Sequence, residues 1–347
     1  MIPKILTKAQ ADKIGALIDE ATYIVIVCHV APDGDAVGSS LALWNVLTGL
    51  GKEAQVITPD AYPADLRFLN GCKEILVCSQ YPDFARELID RADLIFCLDF
   101  NEPKRVDRME PILCASTARK ILIDHHLNPA PFCDVTVSHP EISSTCELLF
   151  RVICSLGLFD RLTPEAVSAI YTGMMTDTGN FTYNSNSPET YLIISELIKK
   201  GLNKDAVYAR IHNNNRAEKL RLNGYAVSRR MEVFPEQGAA IISLSQRELN
   251  RYHYQKGDTE GLVNVPLSMA GIYFSAFVRE ESNLIKISLR SKGSFPANRI
   301  ASEYFGGGGH LNAAGGEFYG SLQEACNVLK NILPLIGELT AKAKKES

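Results

Sequence analysis

The stretch YIVIVCHVAPDGDAVGSS at residues 23–40 decides the fold, because a short β-branched apolar run leads through a polar turn into a helical pattern. The same alternation recurs in four further apolar runs: AQVIT (54–58), EILVC (74–78), DLIFCLD (93–99) and KILID (120–124). Amphipathic stretches such as 35–50 and 104–116 separate the runs. Short apolar strands that alternate with helices are typical of a parallel sheet covered on both faces. The pattern therefore predicts a doubly wound, mostly parallel α/β fold.

Beyond residue 144 the apolar runs give way to a helical pattern. The segment STCELLFRVICSLG begins with a predicted capping box from Ser144 to Glu147, and a second helix is predicted after Pro164. The segment 188–231 is polar and helical and lacks the apolar runs of a central sheet. We therefore predict a helical linker at 188–231.

The last third of the chain predicts a second, smaller α/β domain. Its elements are the strands AAIISL (239–244), GIYFSAFVRE (271–280) and LIKISLRS (284–291), a helix near 297–305, the glycine loop GGGGH (306–310) and a final helix from about 321. The expected organisation is a first domain at 1–187, the linker at 188–231 and a second domain at 232–347.

Composition excludes several classes of protein. Hydrophobic residues make up 46% of the 347 residues and charged ones 22%, which is ordinary for a globular protein and not for a disordered or fibrous one. No apolar run reaches the ~18 residues of a membrane span. Nine cysteines, without a CxxC pair, fit a reducing compartment better than a disulfide scaffold. We expect a cytoplasmic protein without a membrane partner.

The net charge of −4 is unevenly distributed. Residues 1–190 hold 25 acidic and 15 basic side chains, whereas residues 191–347 hold 15 acidic and 21 basic ones. One interpretation is drift among solvated surface residues. The other is an acidic half that binds metal and a basic half that meets an anionic ligand.

Acidic and histidine residues follow four of the apolar segments. They are His29, Asp33 and Asp35 after the first run, Asp99 after LIFCL, Asp124, His125 and His126 after KILI, and Asp177 after AIYTGMMT. Carboxyl ends of parallel strands border one crevice, so these side chains are expected to converge. A single aspartate of this kind is typical of a helix N-cap or a turn. Several together repel one another unless cations neutralise them, which predicts a pair of divalent ions.

The residue types in this cluster bear on which metal it binds. Carboxylates mixed with imidazoles suit Mn²⁺, with Mg²⁺ or iron as alternatives. The absence of thiolates at these positions argues against structural zinc.

Five motifs in order resemble the DHH phosphoesterase superfamily with its DHH-associated C-terminal domain. They are HVAPDGDAVGSS (29–40), CLDF (97–100), DHH (124–126), MMTDTGNF (174–181) and GGGGHLNAAGG (306–316). Within the superfamily the chain is most similar to the group of small oligoribonucleases, or nanoRNases, that also dephosphorylate 3′-phosphoadenosine 5′-phosphate. The resemblance runs from about residue 22 to residue 320 and covers every expected metal-binding position.

The resemblance implies a role for each site residue in the first half. It places His29 and Asp33 on one manganese ion, Asp35, His125 and Asp177 on the other, and Asp99 between the two. His126 then faces the scissile phosphate, and Asp124 orients the histidine pair, unless it is only a strand-end turn residue. Two metals roughly 3.5–4 Å apart activate water for an in-line displacement at phosphorus.

The second half is expected to bind the substrate. Glycine runs allow positive φ and close approach to backbone amides, so Gly307, Gly308 and Gly309 are candidates for an anion cradle beside His310. A flexible turn is the alternative interpretation. Arg290 is the candidate for a charge-assisted phosphate contact. Ser291 and Asn298 match the associated domain's pattern, although either could cap a turn or a helix.

Other prominent residues are assigned structural roles. Arg216 and Arg221 are expected on a solvated helical face and Trp44 in the core. Phe181 and Tyr183 are expected to pack, although both could border the crevice.

The resulting functional hypothesis is a manganese-dependent phosphodiesterase. It would degrade very short single-stranded RNA or dinucleotides to mononucleotides and remove phosphate from 3′-phosphoadenosine 5′-phosphate. Long duplex nucleic acid is not an expected partner, because the chain has no long basic stripe. A homodimer remains open.

Three alternative functions remain. Within the same chemistry they are hydrolysis of cyclic dinucleotides or their linear products, although the membrane and sensory domains of such relatives are not seen here, and hydrolysis of inorganic pyrophosphate. From another class, the alternative is an inactive nucleotide-binding regulator, which would be expected to lack a metal ligand.

Overall fold

A computed structural model describes residues 5–346. The chain divides into two compact units, Met1–Asn214 and Asn215–Ser347. The boundary between the units falls inside the segment 188–231, and the domain limits at residues 187 and 231 stay predictions.

The first unit contains a six-stranded sheet. Its strands are β1 (Tyr23–Cys28), β2 (Glu53–Thr58), β3 (Leu76–Val77), β4 (Leu94–Leu98), β5 (Arg119–Asp124) and β6 (Val135–Ser138). The spatial order is β3-β2-β1-β4-β5-β6, and each neighbouring pair is parallel. Strands β1 and β4 are buried along their whole length, as continuous apolar runs require. The predicted parallel α/β architecture is confirmed.

Helices cover both faces of this sheet. They are α1 (Lys8–Glu20), α2 (Gly34–Gly49), α3 (Pro82–Arg91), α4 (Glu110–Ala115), α5 (Thr145–Ser155), α6 (Pro164–Asp177), α7 (Pro188–Lys199) and α8 (Lys204–His212). One face packs against α1, α2, α5 and α6, and the other packs against α3 and α4. Helix α2 is buried over almost its entire length, so the prediction of an amphipathic stretch at 35–50 is wrong.

Two glycines allow α2 and α6 to approach closely. A β-carbon at Gly38 would lie 2.6 Å from the carbonyl oxygen of Ala169. A β-carbon at Gly173 would lie 2.6 Å from Oδ1 of Asp35. Distances below 3.0 Å are not tolerated by real side chains. Glycine at these positions therefore fixes the spacing of the two helices that carry Asp35 and Asp177.

The start of α5 departs from the predicted capping box. The Ser144 hydroxyl accepts a hydrogen bond of 3.0 Å from the Glu147 N–H, as expected. The Glu147 carboxylate does not return the bond, because it accepts from the hydroxyls of Ser143 and Thr190 and pairs with Arg151. The capping box is therefore only half formed, and Glu147 is a buried link between α5 and α7.

The second unit is built on another six-stranded sheet. Its strands are β7 (Met231–Phe234), β8 (Ala239–Leu244), β9 (Phe274–Glu280), β10 (Ile285–Ser291), β11 (Gly308–Gly309) and β12 (Ala313–Phe318). The order is β11-β12-β10-β9-β8-β7, with β8 and β9 parallel and the other pairs antiparallel. The helices of this unit are α9 (Ala217–Arg229), α10 (Gln246–Arg251), α11 (Ala297–Phe305), α12 (Leu322–Asn331) and α13 (Leu333–Glu346). The predicted final helix is thus two helices.

Two further observations concern the cysteines and the lengths of the helices. All nine cysteines are free thiols. Within residues 5–346, no helix has both the length and the apolar character that crossing a bilayer demands.

Candidate metal centre

The carboxyl edge of the first sheet brings together six predicted metal ligands. His29 follows β1, Asp33 caps α2 and Asp35 lies in its first turn. The other three are Asp99 after β4, His125 after β5 and Asp177 at the end of α6. Asp177 therefore ends a helix, and the prediction that it follows a strand like the other runs is wrong.

The first group consists of His29, Asp33 and Asp99, whose potential ligand atoms lie within 4.8 Å of one another. Nε2 of His29 is 3.8 Å from Asp33 Oδ1 and 3.4 Å from Asp99 Oδ2. Nδ1 of His29 lies 2.8 Å from the carbonyl oxygen of Val30, which can accept its proton. That contact favours the tautomer in which Nε2 presents a lone pair toward the carboxylates.

The second group consists of Asp35, His125 and Asp177, which meet the same distance limit. Nε2 of His125 is 4.0 Å from Asp35 Oδ2 and 3.4 Å from Asp177 Oδ2. Nδ1 of His125 lies 3.2 Å from the carbonyl oxygen of Ile142. This histidine is therefore oriented in the same way as His29.

Asp99 lies between the two groups. Its Oδ2 faces His29, and its Oδ1 is 3.7 Å from Nε2 of His125. Its φ of 66° is in the left-handed region, which aspartate tolerates better than most residues. The Thr145 hydroxyl donates a hydrogen bond of 2.9 Å to Oδ1. Thr145 was not singled out from the sequence, because Ser144 and Thr145 indicated only the start of a helix.

Asp124 and His126 form a pair at this centre, and His126 also makes a third group of potential ligands with Asp99 and His125. Nδ1 of His126 lies 2.7 Å from Oδ1 of Asp124, and 3.9 Å from Oδ1 of Asp99. Asp124 is fully buried. Because His125 contacts the Ile142 carbonyl instead, Asp124 orients one member of the histidine pair and not both.

Electrostatics show that the cluster is under strain without a cation. Burial raises the pKa of Asp35 well above its usual range, and the negative charges of Asp99 and Asp177 raise it further. Burial, with Asp99 and Asp33, raises the pKa of Asp177 to about 8. Burial would raise the pKa of Asp99, but His29 holds it below its usual value. Burial would lower the pKa of His125, but the carboxylates of Asp99 and Asp35 raise it.

These shifts test whether the residues fit a metal. A divalent cation would neutralise carboxylates that otherwise take up protons. The donor atoms are oxygens and imidazole nitrogens, the set that Mn²⁺ and similar divalent ions accept. The six side chains therefore fit such a group.

The predicted substrate residues lie on the second unit. Arg290 is half-buried on β10, and its Nη1 donates to the carbonyl of Leu289. The Ser291 hydroxyl donates to the Phe295 carbonyl and accepts from Nδ2 of Asn312, so it fastens a turn. Asn298 is partly buried, and its Oδ1 accepts from the Arg299 N–H. Asn312 was missed in the sequence, where it sits inconspicuously after GGGGHL.

The glycine loop is shaped largely by its own backbone. Gly306 ends α11 with φ 57°. A β-carbon at Gly307 would overlap the Gly315 carbonyl oxygen, and Gly309 has φ 138°. Gly308 has open space where a β-carbon would be, and the exposed His310 follows the run. Among the four, only Gly308 has both open space for a β-carbon and a φ outside the left-handed region.

The remaining singled-out residues are mostly structural. Nε1 of Trp44 donates to the Ala54 carbonyl, and the ring packs against the core. The Phe181 ring packs between Tyr171 and Tyr191, while Tyr183 is half exposed. Arg221 is exposed as expected. The prediction for Arg216 is wrong.

Arg216 is an anchor and not a solvated side chain. Its Nη2 lies 2.5 Å from Oδ2 of the buried Asp258 and 3.3 Å from the His253 carbonyl oxygen. It therefore ties the start of α9 to the loop that follows α10.

Comparison with known proteins identifies the family. The model of the DHH family, N-terminal domain, matches residues 23–174, and that of the DHHA1 domain matches residues 240–334. The bifunctional oligoribonuclease and PAP phosphatase NrnA of Thermus thermophilus is 33% identical over 297 residues, covering 86% of this chain and 84% of that protein. The chain belongs to the DHH family. The resemblance read from the five motifs is confirmed, and the protein is a phosphoesterase.

Two further relatives of this DHH phosphoesterase are informative. The crystal structure of an exopolyphosphatase-related protein from Bacteroides fragilis superimposes with a TM-score of 0.96 at 51% identity, covering 98% of this chain and 99% of that one. The cyclic-di-AMP phosphodiesterase PdeA of Listeria monocytogenes is 26% identical over 86% of this chain and 45% of its own length.

Proposed function

We propose that this DHH phosphoesterase degrades very short RNA to mononucleotides and removes a phosphate from 3′-phosphoadenosine 5′-phosphate. The observation that carries the proposal is the pair of histidine and aspartate groups that meet at Asp99. The similarity to a protein named for both activities supports the choice of substrates. Free thiols at all nine cysteines support a cytoplasmic location.

The proposed cofactor is a pair of divalent cations, with Mn²⁺ as the resident metal. His29 and Asp33 would hold one ion, Asp35, His125 and Asp177 the other, and Asp99 both. When bound, such a pair lowers the pKa of water and neutralises charge on phosphate oxygens. Mixed imidazole and carboxylate donors support manganese over magnesium.

His126 is the proposed proton-handling group at the phosphate. With its Nδ1 proton held by Asp124, the ring meets the substrate through Nε2. When the ring carries a proton on both nitrogens, it could donate the Nε2 proton to a non-bridging phosphate oxygen or to the leaving oxygen, and either donation stabilises negative charge as the ester bond breaks. Asp124 keeps the ring in one orientation and so limits the motion of the donor.

The second unit is proposed to hold the substrate. Arg290 supplies a guanidinium for phosphate, and the open position at Gly308 beside the exposed His310 lets a ligand approach the backbone. Asn298 would add a hydrogen bond from the first turn of α11. The internal contacts of Ser291, Gly307 and Gly309 support a role in shaping this surface.

Product analysis by chromatography tests the proposal. The substrates are 3′-phosphoadenosine 5′-phosphate, a dinucleotide, a pentanucleotide, a long single strand, cyclic-di-AMP, pyrophosphate and polyphosphate, each with Mn²⁺. We expect AMP and phosphate from the first, mononucleotides from the dinucleotide and poor turnover of the long strand. Purified Asp99→Asn protein in parallel controls for contaminating nucleases. Preference for pyrophosphate or polyphosphate would contradict the proposal.

Hydrolysis of cyclic dinucleotides is the second candidate. The similarity to a cyclic-di-AMP phosphodiesterase over 86% of this chain favours it. A kcat/KM for cyclic-di-AMP that matches or exceeds that for the dinucleotide would establish this activity.

A further inference from the structure

The first turn of α5 contacts two carboxylates of the candidate metal centre. The Thr145 hydroxyl donates 2.9 Å to Asp99 Oδ1, and the Thr145 N–H donates 2.6 Å to Asp35 Oδ2. The next N–H, of Cys146, donates 2.9 Å to Asp35 Oδ1. Thr145 is fully buried and Asp35 and Asp99 nearly so, so water does not replace these bonds readily. One residue thus binds carboxylates from two different elements.

These bonds determine how each carboxylate is oriented. Both oxygens of Asp35 accept N–H groups that have no partner within the helix, and the positive end of the helix dipole favours the ionised carboxylate. At Asp99, the hydroxyl of Thr145 holds Oδ1, and Oδ2 is directed at His29. Without the hydroxyl, Asp99 could rotate toward either histidine.

The donor itself is firmly held. Ser144 caps the helix, and the carboxylate of Glu147 binds the hydroxyls of Ser143 and Thr190. Threonine is β-branched, so its χ1 is restricted more than that of serine. The hydroxyl therefore stays directed at Asp99 at little entropic cost.

We propose that Thr145 is a positioning residue for divalent-cation binding, acting on Asp35 through its amide and on Asp99 through its hydroxyl. The proposal rests on the proposed function, because it concerns the metal that this function uses. Thr145 touches neither cation nor substrate and acts through the two carboxylates. Its loss should therefore weaken metal binding and leave substrate affinity largely unchanged once metal is saturating.

Three variants of the full chain test this role. Thr145→Val removes the hydroxyl at nearly constant volume, and Thr145→Ser keeps it. Thr172→Val is the matched control, because Thr172 is equally buried and its hydroxyl bonds to the Ser168 carbonyl within α6, away from the carboxylates. Affinity for Mn²⁺ alone is measured by titration calorimetry on chelator-treated protein, and KM and kcat are measured at saturating Mn²⁺.

We expect Thr145→Val to weaken Mn²⁺ binding by about tenfold or more, the size of effect seen when a partner of a metal ligand is removed. Thr145→Ser and Thr172→Val should stay within about threefold of the wild type, and KM should be nearly constant in all four proteins. Equal Mn²⁺ affinity in Thr145→Val and the wild type would overturn the proposal, as would an equal loss in Thr172→Val. Absence of Mn²⁺ binding by the wild type would overturn both the proposed metal centre and this role.

Discussion

The buried carboxylate of Asp124 accepts a hydrogen bond of 2.7 Å from Nδ1 of His126. Its other oxygen, Oδ2, is buried without a hydrogen-bond partner within residues 5–346. A buried polar oxygen without a partner costs free energy and is not explained by folding stability. The bond to His126 agrees with the proposed role of Asp124 in orienting that ring.

Replacing Asp124 by leucine should separate activity from stability. The change removes the acceptor that orients His126, so kcat should fall by about 10²-fold, the lower range for a proton-transferring group. The free energy of unfolding, measured with urea, should stay the same or rise, because an apolar side chain replaces a buried carboxyl group that has one oxygen without a partner. Mn²⁺ affinity should be unchanged. Asp124→Asn, which keeps an acceptor oxygen, should lie between leucine and wild type in kcat. A leucine variant with wild-type kcat would contradict the role of Asp124.

Asp99→Asn should disable both cation sites at once. The asparagine side chain would keep the shape of the aspartate and tolerate the left-handed backbone at φ 66°, so the fold should be preserved. The lost charge faces both histidine groups. Removing a hydrogen-bond partner of a metal ligand lowers activity by ~10–100-fold, so removing a ligand shared by both sites should lower it further. Metal content measured by atomic absorption should drop from two ions per chain to one or fewer. Near wild-type turnover in metal-limited buffer would refute the shared role.

Much of the centre was predictable because its residues follow strands. His29, Asp99 and His125 each come directly after an apolar run, and a parallel sheet brings such positions to one edge. Asp177 was grouped with them because it also follows an apolar run, but that run is a helix that approaches through glycine contacts. Those contacts depend on tertiary packing, which periodicity does not report.

The features missed in the sequence all depend on distant partners. Strand β6 is short and alternately exposed, so it becomes a strand only by pairing with β5. The bond from Thr145 to Asp99 joins residues 46 positions apart. The glycine run was interpreted as a ligand cradle, but close approach of β12 explains two of its members. The composition of a segment shows that it is unusual, but it does not show which distant residues pack against the segment and make that composition necessary.

Arg290→Ala and His310→Ala should damage substrate binding more than chemistry. Neither residue belongs to the candidate metal centre, so Mn²⁺ affinity should be unchanged while KM rises by about tenfold. Lys286→Ala, an exposed position on the same strand as Arg290, is the matched control and should leave KM nearly constant. Arg290→Lys should recover only part of the affinity, because lysine cannot make a bidentate contact with phosphate. If both alanine variants keep wild-type KM, the second unit does not hold the substrate in this way.

The metal-free protein should lose stability as pH rises from about 6 to 8.5. The folded-state pKa of Asp177 is raised from 3.8 to about 8, so between these values the folded chain holds a proton that the unfolded chain has released. The free energy of unfolding then falls with increasing pH. The raised pKa values of His29 and His125 act in the same direction above their ordinary value of 6.5. The lowered pKa of Asp99 acts oppositely, but only in strong acid.

Thermal unfolding, measured from pH 6 to 8.5 in chelator and in excess Mn²⁺, checks this dependence of stability on pH. In chelator, Tm should fall across the range, and Asp177→Asn should flatten the decline. In excess Mn²⁺, the slope should vanish or reverse, because cation binding requires deprotonated ligands and stabilises the folded chain. If Tm measured in chelator rises toward pH 8.5, the carboxylates do not repel one another as described.

Gly173→Ala should show that helix spacing sets the metal centre. The new β-carbon would overlap Cys146 Sγ and would lie 2.6 Å from Asp35 Oδ1 and 3.0 Å from Asp35 Cα, so α2 and α6 would have to separate. Such overpacking costs about 1–3 kcal/mol of unfolding free energy. Because α2 carries Asp35 and α6 carries Asp177, Mn²⁺ affinity should fall together with Tm.

Two further variants distinguish this effect from general destabilisation. Gly15→Ala lies within α1, where a β-carbon meets open space, so it should stabilise the chain by about 0.5–1 kcal/mol without changing Mn²⁺ affinity. Adding Cys146→Ala to Gly173→Ala removes the closest clash but leaves the one with Asp35. The double variant should therefore regain part of its stability and little of its Mn²⁺ affinity. If affinity and stability recover together, the loss of metal binding follows from unfolding and the spacing of the two helices does not control Asp35.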